Sequence, residues 1–397
     1  MGEGARQVEH PAGWPGQLWL EGRTLIHLMA EQERPTHMPR GPAKRTGPGF
    51  LNPAMAPART RSVMLLTDAL EHDWLVKEQR PIRALDALSA TGVRIRRWRN
   101  EIPGELQHRL RITANDLDEF ALSWAKASHA IHPPPTPVEH EPEEDRHGLT
   151  SAAVFDNGIH FQRLDARMAM VDAAYQWVDL DPFGSPIQFL DAALQSLSRT
   201  GVLEVTATDT AALTGSSPSS QARRYQARGL VDEYAHDDAV RLLLGTVATT
   251  AARLDKVVTP LLALFDGHHV RISLLVQTSK SEATAIGKSI GWRVRCEDVP
   301  YRFVQHPDPE VLKNASGPMW IGPMWHKEIA GRMTEERALE LCHPNPEDIK
   351  NGRNAGLVWE DEDIEHSARE VRRGVRYIAE AADLMSREHL LLSLDAL

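Results

Sequence analysis

Asp181, Pro182 and Phe183 place an acid, a proline and an aromatic ring in succession near the end of WVDLDPFGSP, residues 177–186. A carboxylate can take a proton from a nucleophile. The Pro182 carbonyl is a second acceptor, and a ring beside a planar base stacks on it for on the order of 1–3 kcal/mol. These groups suit an exocyclic base amine that attacks an electrophilic methyl group. The amine lone pair is delocalised into the ring, and acceptors around its N–H groups localise it. No metal is needed for this, and no metal-ligand spacing is seen. The alternative is a tight strand-to-helix turn in which Asp181 caps a helix.

Trp177, Val178 and Leu180 read as a buried strand, which Pro182 and Gly184 cannot continue. The acid and the ring are therefore delivered at a strand's C-terminal end, the edge where open α/β sheets bind ligands. Three other acids end strands in the same way. LDALSATGVR, with Gly92, has the place of a first βα loop, where bare backbone and a helix N-terminus approach a ligand. It lacks the full three-glycine pattern, and a purely structural turn is the other reading. RLRITAND ends in Asn115-Asp116, about two dozen residues beyond Gly92, where an acid can hold a ribose diol. Asp118 reads as a helix cap, and LDAR presents Asp165.

Strand signals at 81–86, 109–116, 159–166, 174–181 and 201–209 alternate with helical patterns, among them 117–131 and 185–197. That alternation implies a parallel sheet covered on both faces. A helix is expected over 61–75, a long loop over 32–50, and a mobile, acidic, proline-rich insertion over 132–148. After residue 253 the order changes. Residues 255–280 read as two strands about an Asp-Gly turn, followed by helices. The expected architecture is an α/β, Rossmann-like domain over 1–253, with its N-terminal extension, and a smaller α+β domain over 254–397.

The 397 residues are 42% hydrophobic and 25% charged, an ordinary globular composition. No apolar run reaches the ~18 residues of a membrane span, and the N-terminus has no signal-peptide order. The expectation is a soluble, cytoplasmic monomer. Two cysteines, Cys296 and Cys342, cannot build a disulfide framework or a four-cysteine zinc site. The net charge of −10 excludes a uniformly basic coat, although local clusters can still hold phosphates. Such clusters are Arg40, Lys44 and Arg45; Arg94, Arg96, Arg97 and Arg99; and Arg223, Arg224 and Arg228. Each is a solvated face or a phosphate contact.

LDALSATGVR, NDLDEFAL, LDAR and DLDPFGSPIQFLDAAL, in this order, resemble the tRNA (guanine(26)-N2)-dimethyltransferases of archaea and eukaryotes. EGRTLIHL and FLNPAMAPARTRSV upstream, and TDTAALTG, QARRYQARG and GPMWIGPMWHKE downstream, are similar to further blocks of that family. The resemblance covers nearly the whole chain. It implies an S-adenosylmethionine-dependent methyltransferase domain, a distinctive C-terminal domain and a tRNA partner. It further implies that Arg59, Arg94, Asp116, Asp165 and Ala166 bind the cofactor. Asp181 becomes the acid/base, with Pro182 beside it, and Phe50 and Phe183 flank the guanine. The chain departs from the pattern at Ala58 and Thr60 beside Arg59, and it lacks the family's C-terminal cysteine pairs. Cys342-His343 is expected on a strand with its side chains pointing apart, so no structural metal is expected and apolar packing alone should hold that domain. Same-fold alternatives are a methyltransferase for another base amine, such as adenine N6, and an idle tRNA-binding protein. A Rossmann dehydrogenase gives no role to the Asp-Pro-Phe turn.

Overall fold

The computed structural model describes residues 17–28, 51–77, 80–141 and 153–384. The expected loop 32–50, with Arg40, Lys44, Arg45 and Phe50, lies outside the described residues. The strands are β1 (Gln17–Glu21), β2 (Thr24–Leu28), β3 (Ile82–Asp86), β4 (Leu110–Asn115), β5 (Ile159–Gln162), β6 (Tyr175–Leu180), β7 (Leu197–Ala207), β8 (Lys256–Phe265), β9 (Val270–Thr278), β10 (Ile290–Arg295), β11 (Tyr301–Val304) and β12 (Ala315–Trp320). The helices are α1 (Ala56–Glu71), α2 (Val93–Glu101), α3 (Glu119–Ile131), α4 (Ala166–Asp172), α5 (Leu190–Ser196), α6 (Thr210–Leu213), α7 (Pro218–Tyr225), α8 (Ala235–Arg253), α9 (Lys280–Thr284), α10 (Lys327–Arg332), α11 (Glu335–Cys342), α12 (Pro346–Asn354) and α13 (Asp361–Leu384).

Seven strands form one sheet in the order β5-β4-β3-β6-β7-β9-β8, and β11-β10-β12 form a smaller one. The α/β class expected from the alternation is the one found. The described chain has two compact units, one running to Gln176 and resuming over Gly331–Glu380, the other covering Trp177–Ala330. The expected division at 253/254 falls inside the second unit, because the hairpin after it joins the large sheet. The hairpin itself is as expected, β8 and β9 pairing antiparallel about Asp266-Gly267, with Gly267 at φ +69°.

In the first unit β3, β4 and β5 pair in parallel. Ile82, Ala84, Leu85, Ile112 and Ala114 are buried, as strands covered on both faces require. α1 starts and ends earlier than the expected 61–75. Asn52 caps the turn at Pro53–Met55, Pro57 sits in the first turn of α1, and Asp73 at φ +50° lies beyond its end. Every residue of α1 except Pro57 and Glu71 is buried. A helix wrapped on all sides shows no clean period.

The described part of the insertion is tied down. Arg96 donates to the His132 carbonyl at 2.7 Å and Arg99 to the Thr136 carbonyl at 2.9 Å. Val138 N–H donates to Asn157 Oδ1 at 3.0 Å, and Val138 is buried. Residues 132–141 are therefore anchored at His132, Thr136 and Val138. Prolines bring no N–H to satisfy, and buried arginines take the carbonyls.

The second unit places α8 against β8 and β12. A Cβ at Gly245 of α8 would stand 2.9 Å from the Trp320 backbone nitrogen, so the close approach needs glycine. Packing there is not apolar alone, contrary to expectation. Arg293, fully buried on β10, donates to Asp238 at 2.7 Å and to Asp232 at 2.9 Å. Cys342 ends helix α11 of the first unit, and only His343 is extended. Burial pushes its thiol well up, with Glu101 adding to the effect.

Candidate active site

In the first unit the three strand ends meet at Asn115, which is fully buried. Its Nδ2 donates to the carbonyls of Ala87 and Leu164, both at 3.0 Å, and its Oδ1 accepts from Leu164 N–H at 3.0 Å. Its own carbonyl accepts from Ser89 N–H at 2.8 Å. One residue thus binds the loop after β3 to the segment before Asp165. The sequence reading passed over Asn115 in favour of the acid beside it.

Asp116 is half-buried directly after that hub. Its Oδ2 accepts from Ala90 N–H at 2.8 Å and its Oδ1 from Asp118 N–H at 2.9 Å. Burial raises its pKa, and those backbone bonds counter part of the rise. The loop facing it has two left-handed residues, Ala90 at φ +44° and Gly92 at φ +71°. A Cβ on Gly92 would stand 2.9 Å from Ala125 Cβ, so this glycine serves a tight fit to α3. Ser89 Oγ and Thr91 Oγ1, in the same loop, are buried hydroxyls without a hydrogen-bond partner among the described residues. Buried polar groups ordinarily have partners, which sets these two hydroxyls apart from the bonded groups around Asn115.

Asp118 caps α3 as expected, accepting from Phe120 N–H at 2.9 Å. Asp165 caps α4 through Arg167 N–H at 2.9 Å and takes the Arg167 guanidinium at 2.9 and 2.8 Å. Those hydrogen bonds hold its carboxyl down at about 2. Ala166, the first residue of α4, is buried. Arg94 is buried near the start of α2. Arg59 is buried and committed elsewhere, its Nε donating to Glu21 Oε1 at 2.6 Å and its Nη2 to the Asn52 carbonyl at 2.9 Å. A cavity of about 330 Å³ in this unit is lined by Trp19, Glu21, Thr60, Arg97 and Trp359, and none of the nominated residues lines it.

In the second unit β6 ends at Leu180, as expected, and Asp181-Pro182-Phe183-Gly184 turns away from it. Asp181 is half-buried, Pro182 is buried and the Phe183 ring is 69% exposed. The turn is fastened at Gly184 (φ +80°): its N–H donates to Thr208 Oγ1 at 2.7 Å and its carbonyl accepts from Thr208 N–H at 2.9 Å. Ser185 Oγ lies 3.2 Å from Tyr225 OH, which donates to Asp209 Oδ1 at 2.7 Å. The next helical turn begins at Ile187 with Pro186 at its cap position, so Asp181 does not cap it.

The arginine clusters part company. Arg223, Arg224 and Arg228 are exposed on and just after α7. Arg94, Arg96, Arg97 and Arg99 of α2 are at most 4% exposed, and present neither a solvated face nor a phosphate contact. Among the described residues no group of three or more His, Cys, Asp or Glu could hold a metal ion, and no helix is long and apolar enough to cross a membrane.

Parallel strands, a tight turn after β3 and the strand-end acids Asp116 and Asp165 give the first unit a Rossmann-like fold. The family described as N2,N2-dimethylguanosine tRNA methyltransferase matches residues 30–351. The tRNA (guanine(26)-N(2))-dimethyltransferase of Pyrococcus furiosus is 33% identical over 299 residues, 75% of this chain and 73% of that protein. The tRNA (guanine(26)-N(2)/guanine(27)-N(2))-dimethyltransferase of Aquifex aeolicus is 28% identical, over 73% of this chain and 69% of that one. The solved structure of Trm1 from Pyrococcus horikoshii with S-adenosyl-L-methionine aligns with a TM-score of 0.64 and 25% identity, covering 91% of this chain and 88% of that one. The chain belongs to the N2,N2-dimethylguanosine tRNA methyltransferase family.

Proposed function

We propose that this protein transfers one or two methyl groups from S-adenosylmethionine to the exocyclic N2 of guanine 26 in tRNA, the position in the name of its Pyrococcus furiosus relative. The observation that carries the reading is the turn after β6, an acid, a buried proline and an outward ring held rigidly to Thr208. The loop at Ser89 and Thr91 fits the cofactor's polar end, since its hydroxyls have no hydrogen-bond partner among the described residues. When bound, S-adenosylmethionine supplies a methyl group on a sulfonium.

Asp116 accepts from the ribose hydroxyls, its carboxylate keeping lone pairs beyond the two backbone bonds. Arg94 counters the cofactor's carboxylate tail, and Asp165 and Ala166 complete the set. Arg59 belongs to it by motif position only, because its donors rest on Glu21 and Asn52. Asp181 holds the guanine amine and takes the proton that leaves N2, passing it to water. The Pro182 carbonyl takes the other N–H. Phe183 stacks on one face of the flipped base and Phe50 on the other. tRNA is held by the exposed arginines of α7 together with residues 254–397. The enzyme acts as a monomer in the cytoplasm.

Purified protein given unmodified tRNA and S-adenosylmethionine should yield N2-methylguanosine and N2,N2-dimethylguanosine by nucleoside mass spectrometry. Methyladenosine in their place overturns the reading, and fragment mapping tells guanine 26 from guanine 27. Asp181→Ala should lose at least about 10²-fold in rate with S-adenosylhomocysteine affinity intact. Asp116→Ala should weaken that affinity by roughly 1.5–3 kcal/mol. Unchanged calorimetric binding would remove the ribose assignment.

A further inference from the structure

The second unit holds a buried charge cluster around Arg271 of β9. Arg271 of β9 is 3% exposed. Its Nη2 bonds Asp179 Oδ2 and lies 3.0 Å from Glu204 Oε2, while its Nη1 donates to Thr206 Oγ1 at 2.7 Å. Arg271 is the register partner of Thr206, and Ser273 that of Glu204, so all four share one face of the β7–β9 pair. Ser273 Oγ and Trp177 Nε1 donate to Glu204 at 2.9 and 3.3 Å. Asp179 and Glu204 are 0% and 1% exposed.

Asp181 stands two residues beyond Asp179. It lies just past the end of β6 and is half-buried, within two residues of the Asp179–Arg271 pair. The negative charge of Asp181 acts on this guanidinium together with those of Asp179 and Glu204. Asp209, the other acid near the turn, is engaged by Arg224 at 2.9 Å and by Tyr225. His269 at the foot of β9 lies 3.9 Å from Asp266. Among the described residues, Arg271 thus bonds two buried carboxylates and feels the charge of a third, Asp181. A carboxylate among buried anions protonates unless a cation offsets them.

We propose that Arg271 is a positioning residue that keeps Asp181 ionised and aimed at the amine proton. This rests on the reading of Asp181 as the proton acceptor. Arg271 touches neither guanine nor cofactor and acts through Asp181.

The test is kcat against pH, with tRNA and S-adenosylmethionine saturating, for the wild type, Arg271→Met, Arg271→Lys and Asp179→Asn. Loss of the cation should move the acid limb of Arg271→Met up by about one pH unit or more. Arg271→Lys should return most of that shift, because the charge is kept and only the forked geometry is lost. Asp179→Asn should move the limb the other way, since one competing anion is gone. KM for S-adenosylmethionine should stay within about twofold throughout. Should Arg271→Met fail to fold, Arg271→Lys and the opposite shift of Asp179→Asn decide. Rates that fall equally at every pH, with the acid limb fixed, overturn the role of Arg271 and leave the methyltransferase reading standing. A wild type that makes no N2-methylguanosine sinks both.

Discussion

Helices α2 and α7 each carry a run of arginines and use it in opposite ways. On α2 the guanidiniums are cemented inward. Arg97 donates to Glu101 at 2.7 Å, to Glu21 at 3.2 Å and to Thr60 at 3.0 Å. Arg96 holds the Leu25 and His132 carbonyls, and Arg99 the Thr136 carbonyl and Asn157. On α7 the one strong bond is from Arg224 to nearby Asp209. Arg223 has a contact of 3.4 Å to Ser220, and Arg228 caps the Lys313 carbonyl. The charge run is the same signal in both; what differs is whether other elements bring acceptors to it. Glu21, Leu25, His132 and Thr136 lie far from α2 in the chain, so its burial is a tertiary event.

The largest expected difference between the two helices is in stability. Arg97→Met would strip Glu21 and Glu101 of their shared cation. Breaking a buried pair from one side costs about 3–5 kcal/mol, and denaturant unfolding should show a loss of that size. Burial alone would raise the Glu21 carboxyl, yet Arg59 and Arg97 outweigh it and hold the group low. If Arg97→Met melts like the wild type, the cemented picture of α2 is wrong.

An effect of comparable size should appear in acid. His129 and His132 are pushed down to about 3, first by burial and then by the charge of Arg96. In the unfolded chain a histidine titrates near 6.5. Between about pH 6.5 and pH 3 the unfolded state holds more protons, so stability falls as pH falls through that window. The slope is up to about 1.4 kcal/mol per pH unit for each histidine. Urea midpoints at pH 7.5 and pH 5 measure it, and a flat profile would show that these rings reach water.

Smallest in stability is the change on α7. Arg223→Ala with Arg224→Ala should leave unfolding within roughly 0.5 kcal/mol per site, as surface changes do. The double variant should flatten the salt dependence of tRNA binding by about 0.7–0.9 in log–log slope per lost phosphate contact. An unchanged slope would move the RNA interface off this helix.

Local patterns were legible where the chain itself supplied both partners. The parallel strands, the Asp118 cap, the hairpin at Asp266-Gly267 and the turn that follows β6 at Asp181-Phe183 were all readable from neighbouring residues. The start of α1, the packing of 132–141 and the break after Gln176 were not. Each depends on distant groups: on helices that wrap α1, on Asn157 and Arg99 reaching the prolines, and on β8 and β9 choosing the large sheet. The same holds for the site. Asp116 and Asp165 announced themselves as strand-end acids, but the residue that ties their loops together, Asn115, did not.

That shared amide has a consequence for how the loops breathe. Ser89 N–H and Leu164 N–H both end on Asn115, and Asp116 N–H ends on Gln162 at 3.3 Å. None of the three can open without loosening its neighbours. Their amide protons should therefore exchange with deuterium through one common opening event, with matching free energies. A ligand that grips any one loop would slow exchange at all three by the same factor. Asn115→Asp, which loses the two Nδ2 donors for a single-atom change, should split them into separate rates.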